Sequence, residues 1–405
     1  MLGKTAAVLA LTASCVITGV GPVVAAGKAS QAASENSPWY QTDYGAALSR
    51  ANNSEHVLTP ASVPNVGYLR SVVAPPVPPF VCSNRLVAPA LVGGDLYAIT
   101  GAELSKYNAA TGQLIWHSTP DPTLDTFYES LSVAGNEVVV GGTSCSSVSE
   151  PPSAFFAYNA ATGQLLWSVD PSEGLSQAVV SNGYVVTAGT DAAGYFFYVL
   201  NLSTGATVWS STSSCIPKAS SPLVVGSLAM SYGCDSQGNA TIEARNLGTG
   251  ALVWTQSGTW TFQRGNSGDN QLFATDPAGA VVAVNPLTGQ QEYTLSQAVT
   301  VLAVDNSRAY ASCASRIGGR VCAYNVSTGA LEWQSQRFGA KPALAAEAGG
   351  VLYLDVGYAL NAATGHAIKQ LPINPFAVTA LAVGDGRIAA VSDPRVLDLF
   401  GLPGY

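Results

Sequence analysis

A ten-residue stretch from Tyr107 to Trp116 recurs along this chain and limits what the chain can fold into. It returns almost letter for letter from Tyr158 to Trp167. More divergent copies follow at intervals of about 42 residues, a period typical of arrays of one supersecondary unit. In each copy, a large side chain follows a glycine by four positions. The pairs are Gly112 and Trp116, Gly163 and Trp167, Gly205 and Trp209, Gly250 and Trp254, Gly289 and Tyr293, Gly329 and Trp333, and Gly365 and Lys369.

The sequence between these pairs has the composition of strands and turns. Short β-branched and aromatic runs alternate with Gly, Asn, Asp and Ser, and no long run has the 3.6-residue period of a helix. In the first unit we predict strands over residues 86–92 and 96–100, a third strand ending at Tyr107, and a fourth carrying Trp116. A turn like the one before the second strand occurs eight times along the chain.

Eight four-stranded units predict an all-β fold, an eight-bladed β-propeller with antiparallel blades. One such sheet cannot bury both of its faces, so each blade needs neighbours and the ring must close. The chain ends where the third strand of blade eight should finish. We therefore predict that residues 68–73 supply its fourth strand and cover its edge. Seven blades with decorated termini are the alternative. The glycine and aromatic pairs are predicted to dock neighbouring blades, each aromatic burying roughly 150–250 Å².

Composition and charge limit the cellular compartments and the classes of partner that fit this chain. The 405 residues are 47% hydrophobic, and the net charge of −8 comes with scattered Lys and Arg, which gives no basic surface for nucleic acid. Residues 1–26 have the pattern of a signal peptide, so we predict a secreted protein with no membrane span. Lipidation of Cys15, giving a cell-envelope lipoprotein, is the alternative. Residues 27–38 are predicted to be a flexible segment and residues 39–405 a single propeller domain.

Six cysteines remain beyond Cys15, and an even number in a secreted chain predicts disulfides. Cys313 ends a second strand and Cys322 enters the third strand of the same blade, so we pair them. Cys215 precedes a first strand and Cys234 ends the second strand of that blade. By elimination, Cys82 pairs with Cys145. A metal site is the weaker interpretation, because the sequence has no CxxC spacing.

The N-terminal region carries a more specific resemblance. Trp39 is followed by Gly45, and Leu58-Thr59-Pro60-Ala61-Ser62-Val63 comes later, before a strand. Together with the repeated Asn-x-x-Thr-Gly-x-x-x-Trp pattern, these residues resemble the pyrroloquinoline quinone (PQQ)-like β-propeller family, which is quinoprotein alcohol dehydrogenase-like, over residues 39–405. The resemblance implies the propeller fold. It implies no single activity, because the family contains both enzymes and non-catalytic scaffolds.

The resemblance suggests a first hypothesis, a PQQ-dependent alcohol or sugar dehydrogenase. Family enzymes hold the quinone and a calcium ion on the propeller axis and use an aspartate base, a Trp under the quinone and often a vicinal cysteine pair. This chain has no Cys-Cys and no haem-binding Cys-x-x-Cys-His. Its candidate carboxylates, Asp191, Asp235 and Asp276, each also suit a turn. Trp260 lies outside the repeat register, and strand packing is its simpler role.

We favour a second hypothesis, a secreted binding or scaffold module that needs no cofactor. The resemblance implies contacts through loops and blade edges, as in the propeller subunit of the outer-membrane barrel assembly machinery. The expected partner is an unidentified protein or small molecule, and the expected state is a monomer. Other classes find little support, because the sequence lacks a Gly-x-Ser-x-Gly elbow and a phosphate-binding loop. His56, His117 and His366 have no metal-ligand spacing.

Overall fold

A computed structural model describes residues 37–76, 86–87, 89–101, 103–118, 126–144, 153–170, 175–217, 221–266, 268–315, 317–373 and 378–404. The predicted signal peptide (1–26), Cys15, nearly all of the predicted flexible segment (27–38), Cys82 and Cys145 lie outside these residues. The expectations for them, including the pairing of Cys82 with Cys145, therefore stay predictions.

Nearly all regular structure in the described residues is β-strand. Before the first blade lie β1 (Ala51–Asn52), a short 3-10 helix (Val63–Asn65) and β2 (Gly67–Val73). Blades one to four are built from β3 (Ala90–Val92), β4 (Asp95–Thr100), β5 (Glu103–Asn108) and β6 (Leu114–His117); β7 (Thr126–Ala134), β8 (Glu137–Ser144), β9 (Ser153–Asn159) and β10 (Leu165–Val169); β11 (Leu175–Ser181), β12 (Tyr184–Thr190), β13 (Tyr195–Asn201) and β14 (Thr207–Ser213); and β15 (Leu223–Val225), β16 (Leu228–Cys234), β17 (Ala240–Asn246) and β18 (Leu252–Ser257).

Blades five to eight repeat the same order with shorter strands. They are built from β19 (Thr261–Gly265), β20 (Leu272–Thr275), β21 (Val281–Val284) and β22 (Gln291–Thr294); β23 (Ala298–Val304), β24 (Arg308–Cys313), β25 (Val321–Asn325) and β26 (Leu331–Gln334); β27 (Ala345–Ala348), β28 (Val351–Leu354), β29 (Tyr358–Asn361) and β30 (Ala367–Gln370); and β31 (Ala380–Gly384), β32 (Arg387–Asp393) and β33 (Val396–Gly401). In blade seven, the two residues of β1 add a parallel strand beside β27.

The eight sheets form a closed ring, so the predicted eight-bladed propeller is confirmed. The first strand of each blade is innermost and contacts the first strands of both neighbouring blades, and β31 contacts β3 to complete the circle. The fourth strand of blade eight is β2, which pairs antiparallel with β33 from Gly67–Gly401 to Val73–Val396. The seven-blade alternative is therefore wrong.

The repeated Asn-x-x-Thr-Gly sequence forms the turn between the third and fourth strands of a blade. In blade two, the side-chain oxygen of Asn159 accepts from the backbone N–H of Thr162 (3.0 Å), and the N–H of Gly163 donates to the Asn159 carbonyl (2.8 Å). Gly163 has φ +71°, a conformation that costs little without a Cβ. The same local chemistry explains why this turn recurs so regularly in the sequence.

Two disulfides lie within the described residues, and both join the cysteines that the sequence pairs. Cys215–Cys234 lies in blade four and Cys313–Cys322 in blade six. In the same residues, no helix is long and apolar enough to cross a bilayer.

Candidate functional site

Residues 39–52 line one end of the central channel and bond to all eight blades. Trp39 forms a bridge with Leu91 of β3, and its N–H donates to the Leu91 carbonyl at 2.7 Å. Further backbone or side-chain bonds join this segment to the inner strand of every other blade. The partners in chain order are Leu131 and Val133, Val180, Val224, Gly265, Val304, Glu347 and Val383. All lie towards the C-terminal ends of their strands, so the segment, which we call the N-terminal floor, covers that end of the channel.

The opposite part of the channel is open and forms an axial funnel. Two adjoining cavities of about 340 and 700 Å³ share Thr42, Asp43 and Arg50 from the N-terminal floor. They also share Glu129 and Gln177 from the inner strands of blades two and three. Both volumes lie within or near the usual range for small-molecule sites, roughly 300–1,000 Å³.

Two arginines and one aspartate form an ion cluster in this funnel. Arg50 Nε donates to Asp43 Oδ1, and Arg264 Nη1 lies 3.2 Å from Asp43 Oδ2. Arg264 also donates to the carbonyls of Leu48 and Val301, which fixes its guanidinium between the floor and β23. In this cluster two cations share one carboxylate, and Glu129 adds a second carboxylate to the lining of both cavities.

The electrostatics keep Asp43 and Arg264 ionised near neutral pH. Burial raises the pKa of Asp43, but the charges of Arg50 and Arg264 and their hydrogen bonds outweigh this and hold that pKa below its ordinary value. Burial and the nearby charge of Arg50 lower the pKa of Arg264 to about 10, against the opposing effect of Asp43. Arg264 therefore remains a cation at physiological pH.

The floor carries unusual backbone strain. Asp43, Tyr44, Leu48 and Arg50 have φ values of 59°, 79°, 53° and 49°, the left-handed region that non-glycine residues rarely adopt. Each such residue costs on the order of 1 kcal/mol or more and persists only where surrounding contacts fix it. Two of the four, Asp43 and Arg50, belong to the ion cluster, so the strained backbone carries two of its three charged side chains.

The predicted docking residues lie far from the funnel, on the outer strands. In blade one, Trp116 Nε1 donates to the Ala160 carbonyl of blade two (3.2 Å), and a Cβ added at Gly163 would lie 2.7 Å from the indole ring. The following large side chains repeat this bond to the next blade. They are Trp167 to Leu202, Trp209 to Leu247, Trp254 to Pro286, Tyr293 to Val326 and Trp333 to Ala362. Lys369 instead donates to the carbonyls of Pro64 and Val66.

The candidate dehydrogenase residues do not meet on the axis. Asp191, Asp235 and Asp276 each accept backbone N–H bonds in the turn between the second and third strands of their blades. Trp260 lies between β18 and β19 and donates Nε1 to the Ser257 carbonyl at 3.1 Å. None of these four lines the funnel cavities of the described chain.

The three histidines also lie apart. His117 Nδ1 is 2.8 Å from Glu103 Oε1 within blade one, while His366 is exposed in the turn of blade seven. In the part of the chain that the structure describes, no group of three His, Cys, Asp or Glu side chains is arranged to hold a metal ion.

Sequence reasoning missed the funnel residues Asp43, Arg50 and Arg264. Asp43 and Arg50 belong to the non-repeating N-terminal segment, whose path across the ring has no periodic signal. A charged residue on an inner strand was the available clue for Arg264, since inner strands of propellers are mostly apolar.

Comparison with known proteins agrees with this architecture. The family model described as outer membrane protein assembly factor BamB matches residues 100–236 and 238–398. No curated protein sequence matches the chain. Among solved structures, BamB from Moraxella catarrhalis is similar with a TM-score of 0.55 and 20% identity, over 84% of this chain and 98% of that one.

Two dehydrogenases are similar in fold at lower identity. The quinohemoprotein alcohol dehydrogenase from Comamonas testosteroni has a TM-score of 0.65 and 14% identity, over 91% of this chain and 81% of that one. A europium-containing methanol dehydrogenase has a TM-score of 0.62 and 12% identity, over 90% of this chain and 98% of that one. At such identities these similarities establish the fold alone.

Proposed function

Because the chain belongs to the family of the outer membrane protein assembly factor BamB, the PQQ-like β-propellers, we propose that it is a binding module that takes a small anionic ligand into the axial funnel. The observation that carries this proposal is the ion cluster, in which Arg50 and Arg264 share the single carboxylate of Asp43. An anionic group entering the funnel would accept hydrogen bonds from the guanidinium groups of Arg50 and Arg264 in a partly desolvated setting, where ion pairs are stronger than in water.

The walls suit a ligand with both polar and apolar parts. Gln177, Ser130 and Ser221 offer hydrogen-bonding groups, and Tyr232 and Phe262 offer aromatic surface. This mixture of a few polar groups on a largely preformed concave surface is the usual character of a small-molecule site. The strained floor supports the proposal, because backbone strain concentrates where side-chain positions matter for function.

The alternative is a quinone-dependent dehydrogenase, and the similarity in fold to the Comamonas enzyme favours it. The described funnel does not fit the calcium ion that such an enzyme would need. Calcium takes six to eight oxygen ligands, but both oxygens of Asp43 are held by guanidinium groups. Gln263 is also engaged, since its Oε1 accepts from the Val301 N–H and its Nε2 donates to Thr275. We therefore derive no catalytic step through a bound quinone and calcium.

The proposal includes secretion as a monomer. The two disulfides are compatible with an oxidising compartment, and residues 1–26 have the pattern of a signal peptide. The surface offers no basic stripe for nucleic acid, given the net charge of −8.

The test is a calorimetric titration of the purified protein with mono-, di- and tricarboxylates. The same titration includes pyrroloquinoline quinone, with and without calcium, together with a dye-reduction assay on alcohols and sugars. We expect saturable carboxylate binding that Arg50→Gln weakens at least about tenfold, as expected for loss of a charged hydrogen bond. Arg337→Gln, an exposed arginine outside the funnel, is the matched control. Dye reduction that requires quinone and calcium would instead establish the dehydrogenase, and no binding of any carboxylate would refute the funnel site.

A further inference from the structure

A second polar cavity of about 280 Å³ lies between blades three and four, away from the axis. Ser211, Ser213 and Ser214, from the end of β14 and the residue after it, form one wall. Gly233, Glu243 and Arg245 of blade four form the other. The cavity shares Tyr232 with the axial funnel but none of the funnel's charged residues. We call it the blade-three/four pocket.

Arg245 occupies a position that is apolar or aromatic in other blades. Arg245 pairs with Ala229, the second residue of β16. The corresponding pairs put Leu200 in blade three, Tyr158 in blade two and Tyr324 in blade six at the place of Arg245. Burying charge between blades is costly compared with apolar packing. Arg245 is therefore a feature of blade four and not of the repeat, whereas the position of Glu243 holds Ser105 in blade one and Asp398 in blade eight.

Glu243 is only 8% exposed, and its hydrogen bonds are made by one of its two carboxylate oxygens. Arg245 contacts its Oε2 twice, through Nη2 at 2.7 Å and Nε at 2.9 Å. Its Oε1 has no hydrogen-bond partner among the described residues. The hydroxyls of Ser231 and Thr241, which lie behind the residues that line the cavity, are buried without partners in this part of the chain. Ser231 pairs with Glu243 and Thr241 with Gly233, so all four residues lie on the same face of the sheet.

Gly233 makes the room that this arrangement needs. A Cβ added there would lie 2.2 Å from Glu243 Oε1 and 2.9 Å from Thr241 Oγ1. The carboxylate therefore folds over the glycine, and any larger residue would displace it. The Cys215–Cys234 disulfide ties the serine-rich wall to blade four, and Ser213 Oγ lies 3.3 Å from Cys234 Sγ. The pocket is thus fixed on both sides.

From this geometry we infer that the blade-three/four pocket binds a neutral, hydroxyl-rich ligand of monosaccharide size. The Glu243–Arg245 pair leaves the pocket without net charge from these two residues, so a charged ligand gains no ion pair there. A carboxylate oxygen, serine hydroxyls and a guanidinium offer both acceptors and donors, which matches vicinal hydroxyl groups. The volume is at the lower end for ligand sites, which suits one sugar ring or a cyclitol.

The experiment titrates the purified protein with glucose, galactose and myo-inositol by ligand-observed NMR. Glucosamine and glucuronate serve as charged analogues. We expect saturable binding of at least one neutral polyol and weaker binding of both charged analogues. Glu243→Gln keeps the shape of the side chain and Gly233→Ala displaces it, and each should weaken binding at least about tenfold. Because Glu243→Gln leaves Arg245 without its counter-ion, that variant should also gain affinity for glucuronate.

Two controls separate this site from the others. Glu332→Gln breaks a comparable pair with Arg308 in blade six and should not change polyol binding. Arg50→Gln alters the axial funnel and should also leave it unchanged, so failure of the funnel proposal does not affect this one. Absence of polyol binding, binding only of a charged analogue, or equal binding by wild type, Glu243→Gln and Gly233→Ala would overturn the inference.

Discussion

At the docking position of each outer strand, a large side chain covers the backbone of the next blade. The indole ring lies against a glycine while its N–H donates to a carbonyl three residues earlier, as Trp209 does with Gly250 and Leu247. The contact therefore combines apolar burial with a satisfied polar group. Eight side chains occupy this position around the ring. They are Trp116, Trp167, Trp209, Trp254, Tyr293, Trp333, Lys369 and, on β2, Arg70.

Replacing one docking tryptophan tests how much such a contact contributes. Trp209 also stacks on Phe197, with ring centroids 5.5 Å apart, so Trp209→Ala removes packing, a stacking contact and a hydrogen bond. We expect the free energy of unfolding to fall by about 3 kcal/mol, the lower end for a tryptophan truncation because Trp209 is partly exposed. Urea denaturation measures this. Trp260→Ala, outside the docking position, should cost less; an equal loss would argue against a special role for docking.

Glu347 predicts a pH dependence of stability. It is 3% exposed, and burial together with the charge of Asp305 raises its pKa to about 8 from 4.5. Between these values the folded state holds a proton that the unfolded state releases, so the free energy of unfolding falls as pH rises through this window. A shift of this size corresponds to about 3–5 kcal/mol.

The variant Glu347→Gln isolates that effect, because its amide oxygen can still accept the bond from the Gly350 N–H. We expect it to be more stable than wild type above pH 8, with the difference shrinking towards pH 4.5. Urea denaturation across this range measures both curves. Glu292→Gln, at an exposed position, is the control. A constant difference between wild type and Glu347→Gln at every pH would show that Glu347 does not titrate in this window.

At the scale of elements, strands and turns that depend on local hydrogen bonds can be predicted from the sequence, whereas segments held by long-range contacts cannot. The turn with Asn159 and Gly163 repeats because its bonds are local, so the strands and the number of blades could be predicted. The N-terminal floor is held by backbone bonds to six inner strands and by side-chain bonds to the other two, which leave no periodic pattern. The docking position of Arg70 could not be predicted from the sequence either, because β2 lacks the repeat turn that precedes the other docking residues.

Two truncations separate the roles of the floor and of β2. A variant beginning at Gly67 loses the floor but keeps β2, whereas one beginning at Ala74 loses both. We expect the first to unfold cooperatively with a free energy lower by at least about 5 kcal/mol, because buried Trp39, Leu58 and Val63 are lost. The second exposes the edge of β33 and should aggregate or unfold in several steps. Denaturation followed by circular dichroism, with sedimentation analysis, distinguishes them; identical behaviour would show that β2 adds nothing to closure.

At the scale of the whole molecule, the ring is closed without a covalent link in the described residues. Cys313–Cys322 lies within blade six and Cys215–Cys234 joins the segment between β14 and β15 to β16, so neither crosses the junction between blades eight and one. The junction between blade eight and blade one therefore depends on β2, on the contacts between β31 and β3, and on the N-terminal floor, which bonds to Leu91 and Val383. In a repeat protein each unit touches only its neighbours, so the weakest interface between units limits how cooperatively the whole molecule unfolds. Like the junction between blades seven and eight, where Lys369 takes the docking position, this junction has a cationic docking residue, Arg70, in place of an aromatic one.

The arginine at this docking position allows a test of ring closure in which a variant adds a contact instead of removing one. The Cδ of Arg70 lies 3.1 Å from the place of a Cβ on Gly112, whereas blades one to six put an aromatic ring over the corresponding glycine. In Arg70→Trp, an indole could cover Gly112 and donate Nε1 to the Ala109 carbonyl, which is three residues before the glycine as in the other blades. We expect the free energy of unfolding to rise by about 1 kcal/mol, while Arg70→Ala lowers it. Because closure limits the whole ring, the urea midpoint should rise with a single transition retained. A midpoint that falls in Arg70→Trp would mean that Arg70 makes a contact at this junction that an indole cannot replace.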